Sequence, residues 1–95
     1  MKVHKVVIFG TSGHAKVIAS IIETIPEYEL IGFISNNPNT EKAVLGYKVI
    51  GDDGRLIELM KQYDFTRCVV GVGDNLRRSK VVDFIGKNVP SLKFA

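Results

Sequence analysis

Ninety-five residues suffice for one small domain, near the lower limit of what a single hydrophobic core stabilises well. With 45% hydrophobic and 24% charged residues the chain has an ordinary globular composition, and a net charge of +3 is too slight to argue for nucleic acid or a membrane surface as partner. A single cysteine, Cys68, excludes an internal disulfide and agrees with a cytoplasmic location, and no apolar run nears the ~18 residues of a membrane span.

The first element is a strand over residues 5–9, in which Val6, Val7, Ile8 and Phe9 form an unbroken apolar run. Such a run suits a parallel strand covered on both faces. It stops at Gly10-Thr11-Ser12-Gly13, and this break behind Lys2 and Lys5 argues against a signal peptide. A helix follows, with Ala15, Ile18, Ala19 and Ile22 on one face and Lys16, Ser20, Glu23 and Thr24 on the other, and Pro26 ends it. Residues 30–34 read as a second strand that runs into the turn signal Ser35-Asn36-Asn37-Pro38.

Residues 38–46 are polar and loop-like, and residues 47–50 form a short extended piece before Gly51. Asp52 or Asp53 is suited to cap a helix carrying Leu56, Leu59, Met60 and Tyr63 at helical spacing. A third strand over residues 68–72 stops at Gly73-Asp74-Asn75. A third helix then runs to about Lys87, and a last strand covers residues 92–94. This alternation predicts an α/β domain with a parallel sheet of about four strands and helices on both faces. The chain stops directly after a strand, which suggests a fragment of a longer protein.

In such sheets ligands bind beyond the carboxyl ends of the strands, so three loops become candidates by position. The first is Gly10, Thr11, Ser12, Gly13 and His14, a strand-to-helix turn able to aim backbone N–H groups at an anion. Set against the dinucleotide fingerprint G-x-G-x-x-G/A, Gly10 and Ala15 fit, but Ser12 replaces the glycine that lets backbone approach a pyrophosphate. The turn is equally what tight strand–helix packing requires without a ligand. The second loop is Ser35, Asn36 and Asn37, where an NAD fold wants an acid about 20 residues past the glycines. Neutral side chains there suit hydroxyls or a base edge such as uracil, and plain turn chemistry accounts for them as well.

The third loop is Gly73, Asp74 and Asn75, two caps followed by Arg77, Arg78 and Lys80 at the helix start. Cations there oppose the helix dipole at about 0.3–1 kcal/mol each, a cost that a bound phosphate would reverse. They can equally be solvated and turned away; Arg77 is better placed to face a ligand. His14 has no second histidine or cysteine at metal-ligand spacing, so no metal site is expected, and Ser12 lacks a base and orienting partner for nucleophilic catalysis. Cys68 in its apolar strand reads as inert core.

Three motifs in order, Gly10-Thr11-Ser12-Gly13-His14, Gly46-Tyr47-Lys48-Val49-Ile50-Gly51 ahead of a helix with Leu59, and Val70-Gly71-Val72-Gly73-Asp74-Asn75 with Arg77 or Arg78, resemble the N-terminal domain of the NeuD/PglD-like sugar acyltransferases. These include sialic-acid O-acetyltransferases and acetyltransferases of UDP-4-amino-sugars, with roles in polysaccharide biosynthesis. The resemblance implies a small Rossmann-like fold that binds a nucleotide-sugar acceptor between the turn at residues 10–14 and residues 73–77, with the second-strand loop on the uridine. It further implies acetyl-CoA as donor, and a C-terminal left-handed β-helix that carries the catalytic histidine and forms a homotrimer. No catalytic residue and no cofactor would then belong to these 95 residues. The chain departs from the family pattern in having Ser35-Asn36-Asn37 where members often carry acids. Two other classes share the glycine turn: a non-catalytic sensor of a nucleotide or CoA, and a truncated NAD-dependent dehydrogenase, the latter disfavoured by Ser12 and by the absent acid.

Overall fold

A computed structural model describes residues 4–10, 13–35, 43–44, 46–71, 75–88 and 92–94, with the backbone alone at 43–44, 53, 75, 77 and 88. The opening apolar run forms β1 (His4–Phe9), in which Val6, Val7, Ile8 and Phe9 are all buried. Successive strand residues face opposite sides, so four buried in a row require cover above and below. Val6 and Ile8 pack with Ala15, Ala19 and Ile22 of α1 (Gly13–Glu23). Val7 and Phe9 pack on the other side with Leu56 and Leu59 of α2 (Leu56–Tyr63) and Ile85 of α3 (Asn75–Asn88). Helices therefore lie on both faces, as the alternation predicts.

The remaining strands are β2 (Tyr28–Ile34), β3 (Ala43–Val44), β4 (Tyr47–Gly51), β5 (Arg67–Val70) and β6 (Lys93–Phe94), in the spatial order β3-β4-β2-β1-β5-β6. All neighbours run parallel except the two-residue β3, which pairs antiparallel with β4 at the edge. The extended piece at residues 47–50 is thus a fifth parallel strand, which enlarges the expected four. Between β1 and β2 the register slips, with Val6 opposite Leu30 and Val7 opposite Gly32. Ile31 is the extra residue of this bulge, so Leu30 and Phe33, three apart, share the face that α1 covers.

Helix ends depart from the sequence reading in two places. α1 stops before Pro26: the Thr24 N–H and Oγ1 both donate to the Ile21 carbonyl, at 3.0 and 2.6 Å. The acids expected to cap α2 do not do so, because a 3-10 turn over Asp53–Arg55 intervenes. The Arg55 N–H donates to the Asp52 carbonyl at 3.1 Å, and Arg55 occupies the cap position without a side-chain hydrogen bond. At the other end Asp64 closes α2 in the left-handed conformation (φ 57°), its N–H donating to the Met60 carbonyl at 2.9 Å. β5 ends at Val70, short of the expected Val72, which lies outside the described residues.

Cys68 sits in β5 opposite Val7 of β1 and Phe94 of β6 and is fully buried. Burial pushes its thiol from an ordinary 9.0 up to about 12, because the thiolate would lose its hydration. The unfolded chain therefore releases this proton near pH 9 while the folded chain keeps it to about 12. Its contribution to stability is complete below pH 9 and declines as pH rises through that window, by at most about 1.4 kcal/mol per pH unit. Thermal melts at pH 8 and pH 11 should show a Cys68→Ala variant, less stable at the lower pH, losing less of its stability than the parent between the two. An equal loss in both chains would show that the thiol is not held protonated.

Candidate ligand site at the strand tips

Three backbone hydrogen bonds level the carboxyl ends of four strands. The Gly10 N–H donates to the Ile34 carbonyl (2.8 Å), the Gly71 N–H to Phe9 (2.8 Å) and the Ser35 N–H to Gly51 (3.0 Å). Phe9, Ile34, Gly51 and Val70 thus finish at one rim, and the loops that follow them leave from the same edge. From β1 the chain steps outward through β2 to β4 on one side, then continues through β5 to β6 on the other. This is the topological switch point of an open α/β sheet, where diverging connections leave a crevice beside the first strand.

At this rim the switch point falls between Gly10, which follows β1, and Gly71, which follows β5. Gly10 has φ 104°, a conformation that side chains rarely adopt, and it turns the chain from β1 into α1. Gly71 is the close-packing residue of the site. A Cβ placed on it would lie 2.9 Å from both Cα and Cβ of Ala15 and 3.0 Å from Cγ2 of Ile8. Ala15 itself is fully buried. The third position of the dinucleotide fingerprint, held by Ala15, therefore performs the helix–strand packing that the fingerprint assigns to it. Gly13 behaves differently: it is exposed, and an added Cβ would meet nothing within 4 Å. Its smallness is not required by packing among the described residues.

The sequence-predicted site residues separate accordingly. Gly10, Gly13 and Ser35 lie at the rim, with Ser35 half-buried next to the end of β4. His14 is exposed in the first turn of α1, and Gly13 and His14 lead into that helix beside the crevice. Thr11, Ser12, Asn36, Asn37, Gly73 and Asp74 lie outside the described residues. Asn75 is the first residue of α3 and not a cap ahead of it. Arg77 and Arg78 fall in the first turn of α3, Lys80 only in the second; Arg78 is half-buried, and the Arg77 side chain is among those not described. α3 has no acid in its first turn. The two histidines occupy opposite ends of β1, since His4 stacks edge-on against Tyr28 (centroids 5.9 Å, 63°) at the amino end. Among the described residues no three His, Cys, Asp or Glu side chains gather as a metal site, and no helix is long and apolar enough to cross a membrane.

Two residues of the rim carry weak signals in the sequence. Gly71 lies inside the apolar run expected as a strand, although an isolated glycine at a strand's end signals close backbone approach. Asp52 has the form of a helix cap, although it follows a strand and leaves from the same rim as Gly10.

A parallel sheet with a glycine turn at its switch point defines a small Rossmann-like ligand-binding domain. More particularly, the chain belongs to the PglD N-terminal domain family, which it matches over residues 5–85. In fold it is similar to UDP-D-quinovosamine 4-dehydrogenase from Vibrio fischeri (TM-score 0.72, 17% identity, 90% of this chain and 71% of that one). It is similar also to RSP, a Rex-family repressor (TM-score 0.71, 14% identity, 90% and 41%), and to RSP in complex with β-NADH (0.67, 16%, 90% and 42%). The chain thus spans about two fifths of the Rex-family repressor. No curated protein matches it.

The Gly71 contact is open to a direct check. Gly71→Ala forces the first turn of α1 off the sheet, at a cost of about 1–3 kcal/mol by analogy with overpacked cores. For a domain of this size that is a melting temperature lower by roughly 4–8 °C per kcal/mol. A melt unchanged by the substitution would mean that α1 does not rest on Gly71.

Proposed function

We propose that this domain holds the sugar acceptor of an acetyl-CoA-dependent N- or O-acetyltransferase, as a nucleotide sugar of the UDP-amino-sugar type lying across the strand tips. The observation that carries the reading is the pairing of a glycine turn at the switch point with Ser35, a neutral residue, at the end of β2. Backbone N–H groups beside the start of α1 suit a diphosphate. An NAD site would instead place a carboxylate after β2 for the ribose. Membership of the PglD N-terminal domain family supports the same reading. The shared fold does not choose between ligands, because a UDP-sugar dehydrogenase and an NADH-bound repressor both have it.

Acetyl transfer from a thioester to an amine or hydroxyl needs a base that removes the acceptor proton as the tetrahedral intermediate forms. In this proposal that base, the acetyl-CoA site and a trimer interface lie outside these residues. The domain contributes orientation: it restricts the acceptor so that its nucleophile meets the thioester, an effect that can supply several kcal/mol of the barrier. His14, exposed beside the crevice, is available to hydrogen-bond the ligand and is assigned no proton transfer.

Calorimetric titration with a UDP-N-acetyl-amino-sugar, NADH and CoA separates the readings. The expected result is saturable binding of the UDP-sugar alone, and no acetyl transfer by the 95-residue chain when acetyl-CoA is added. Binding of NADH or CoA without the UDP-sugar, or acetyl transfer that survives His14→Ala, would overturn the proposal.

A further inference from the structure

We infer that Asp52 is the ribose-reading carboxylate of this site, taking from the neighbouring strand the role that the end of β2 leaves vacant. The inference rests on the nucleotide-sugar reading above and adds to it the residue that recognises the nucleoside.

Four observations converge on Asp52. First, it stands at the rim: Ile34 pairs with Gly51, and the Ser35 N–H donates to the Gly51 carbonyl at 3.0 Å, so Asp52 begins the loop directly beside Ser35. Secondly, it is half-buried, whereas Asp64 and Asp83 are exposed. Thirdly, its carboxylate has no hydrogen-bond or ion-pair partner among the described residues. Its backbone carbonyl closes the 3-10 turn, α2 has Arg55 at its cap position, and the Arg55 side chain turns instead to Glu58 at 3.4 Å. Fourthly, the space beside it is kept open by a glycine, since a Cβ on Gly54 would lie 3.2 Å from Asp52 Oδ1.

The spacing fits one ligand. β1 and β4 flank β2, and adjacent strands lie about 4.8 Å apart, so Asp52 sits about 10 Å across the rim from the turn at Gly10. That is far enough to keep a carboxylate off a diphosphate seated on the turn, and near enough for the ribose attached to it. A carboxylate has acceptor sites on both oxygens and can take two hydrogen bonds from the vicinal hydroxyls of a ribose. Dinucleotide folds use an acid for this purpose at the end of the second strand. Here the strand next to it supplies the acid.

Titration of the parent chain and of Asp52→Asn with UDP, 2′-deoxy-UDP and inorganic pyrophosphate tests the assignment. Asparagine keeps the shape and removes the charge, and equal melting temperatures establish that the variant is folded. UDP should bind the variant about tenfold more weakly, as expected when a hydrogen bond to a charged group becomes a neutral one. Pyrophosphate should bind both chains alike, and 2′-deoxy-UDP should lose affinity relative to UDP in the parent but much less in the variant. UDP affinity unchanged by Asp52→Asn, or an equal penalty for the missing hydroxyl in both chains, would overturn the role of Asp52 while leaving the nucleotide-sugar reading intact. Failure of the parent to bind either UDP or a UDP-sugar would remove both.

Discussion

The geometry of the site depends on the approach of α1 to β5 at Ala15 and Gly71. With no side chain on Gly71, the first turn of α1 settles onto the sheet over Ile8, close enough that a single methyl group would be rejected. This contact holds the start of the helix over the boundary between β1 and β5. At the end of β1, Gly10 takes a positive φ of 104°, open to a residue without a side chain. Packing at Gly71 therefore sets where the start of α1 sits relative to the strand tips.

β1 is the member on which both layers rest. Its alternate residues enter two separate cores, Val6 and Ile8 under α1, Val7 and Phe9 under α2 and α3. Burial on both faces is also why its sequence shows no alternation, and why so short a segment is readable from composition alone. The second layer is less even. Among its described side chains α3 buries only Ile85 completely, with Val81 and Phe84 half-buried, while Leu76 and Val82 are exposed. It meets the core through Ile85, Val81 and Phe84 and not through a continuous apolar face.

What the sequence disclosed, and what it hid, follows from these environments. β1 and the stripe of α1 were legible because each has one repeating environment. β4 was legible only as a short extended piece, since Tyr47, Val49 and Ile50 are half-buried beside an exposed Lys48 and form no continuous run. The early start of β2 at Tyr28 was concealed by Glu29, an exposed residue at the amino end. The bulge at Ile31 is a property of pairing with β1, and a single strand's sequence does not contain it. At the site, the glycine turn and the neutral Ser35 were both legible. The neighbour relation between Ser35 and Asp52 was not, because seventeen positions of chain separate residues that one hydrogen bond brings side by side.

That relation alters the meaning of the missing acid. In sequence, Ser35-Asn36-Asn37 is a departure from the dinucleotide pattern and counts against an NAD site. In the fold, the rim is a row of strand ends, and a function tied to one position in the row can pass to the next with a shift of about 4.8 Å. Such a shift carries the carboxylate farther from the switch point, so a ligand that reaches it must extend farther along the rim from the same phosphate turn. On the reading proposed above, it also releases the end of β2, where Ser35 stands, from bearing a charge. A site of the proposed form would be long, anionic-tolerant at one end and hydroxyl-reading at the other. Those would be the demands of a nucleoside diphosphate whose sugar projects beyond the turn, the ligand proposed above for a Rossmann-like rim that keeps a glycine turn and lacks the nicotinamide fingerprint.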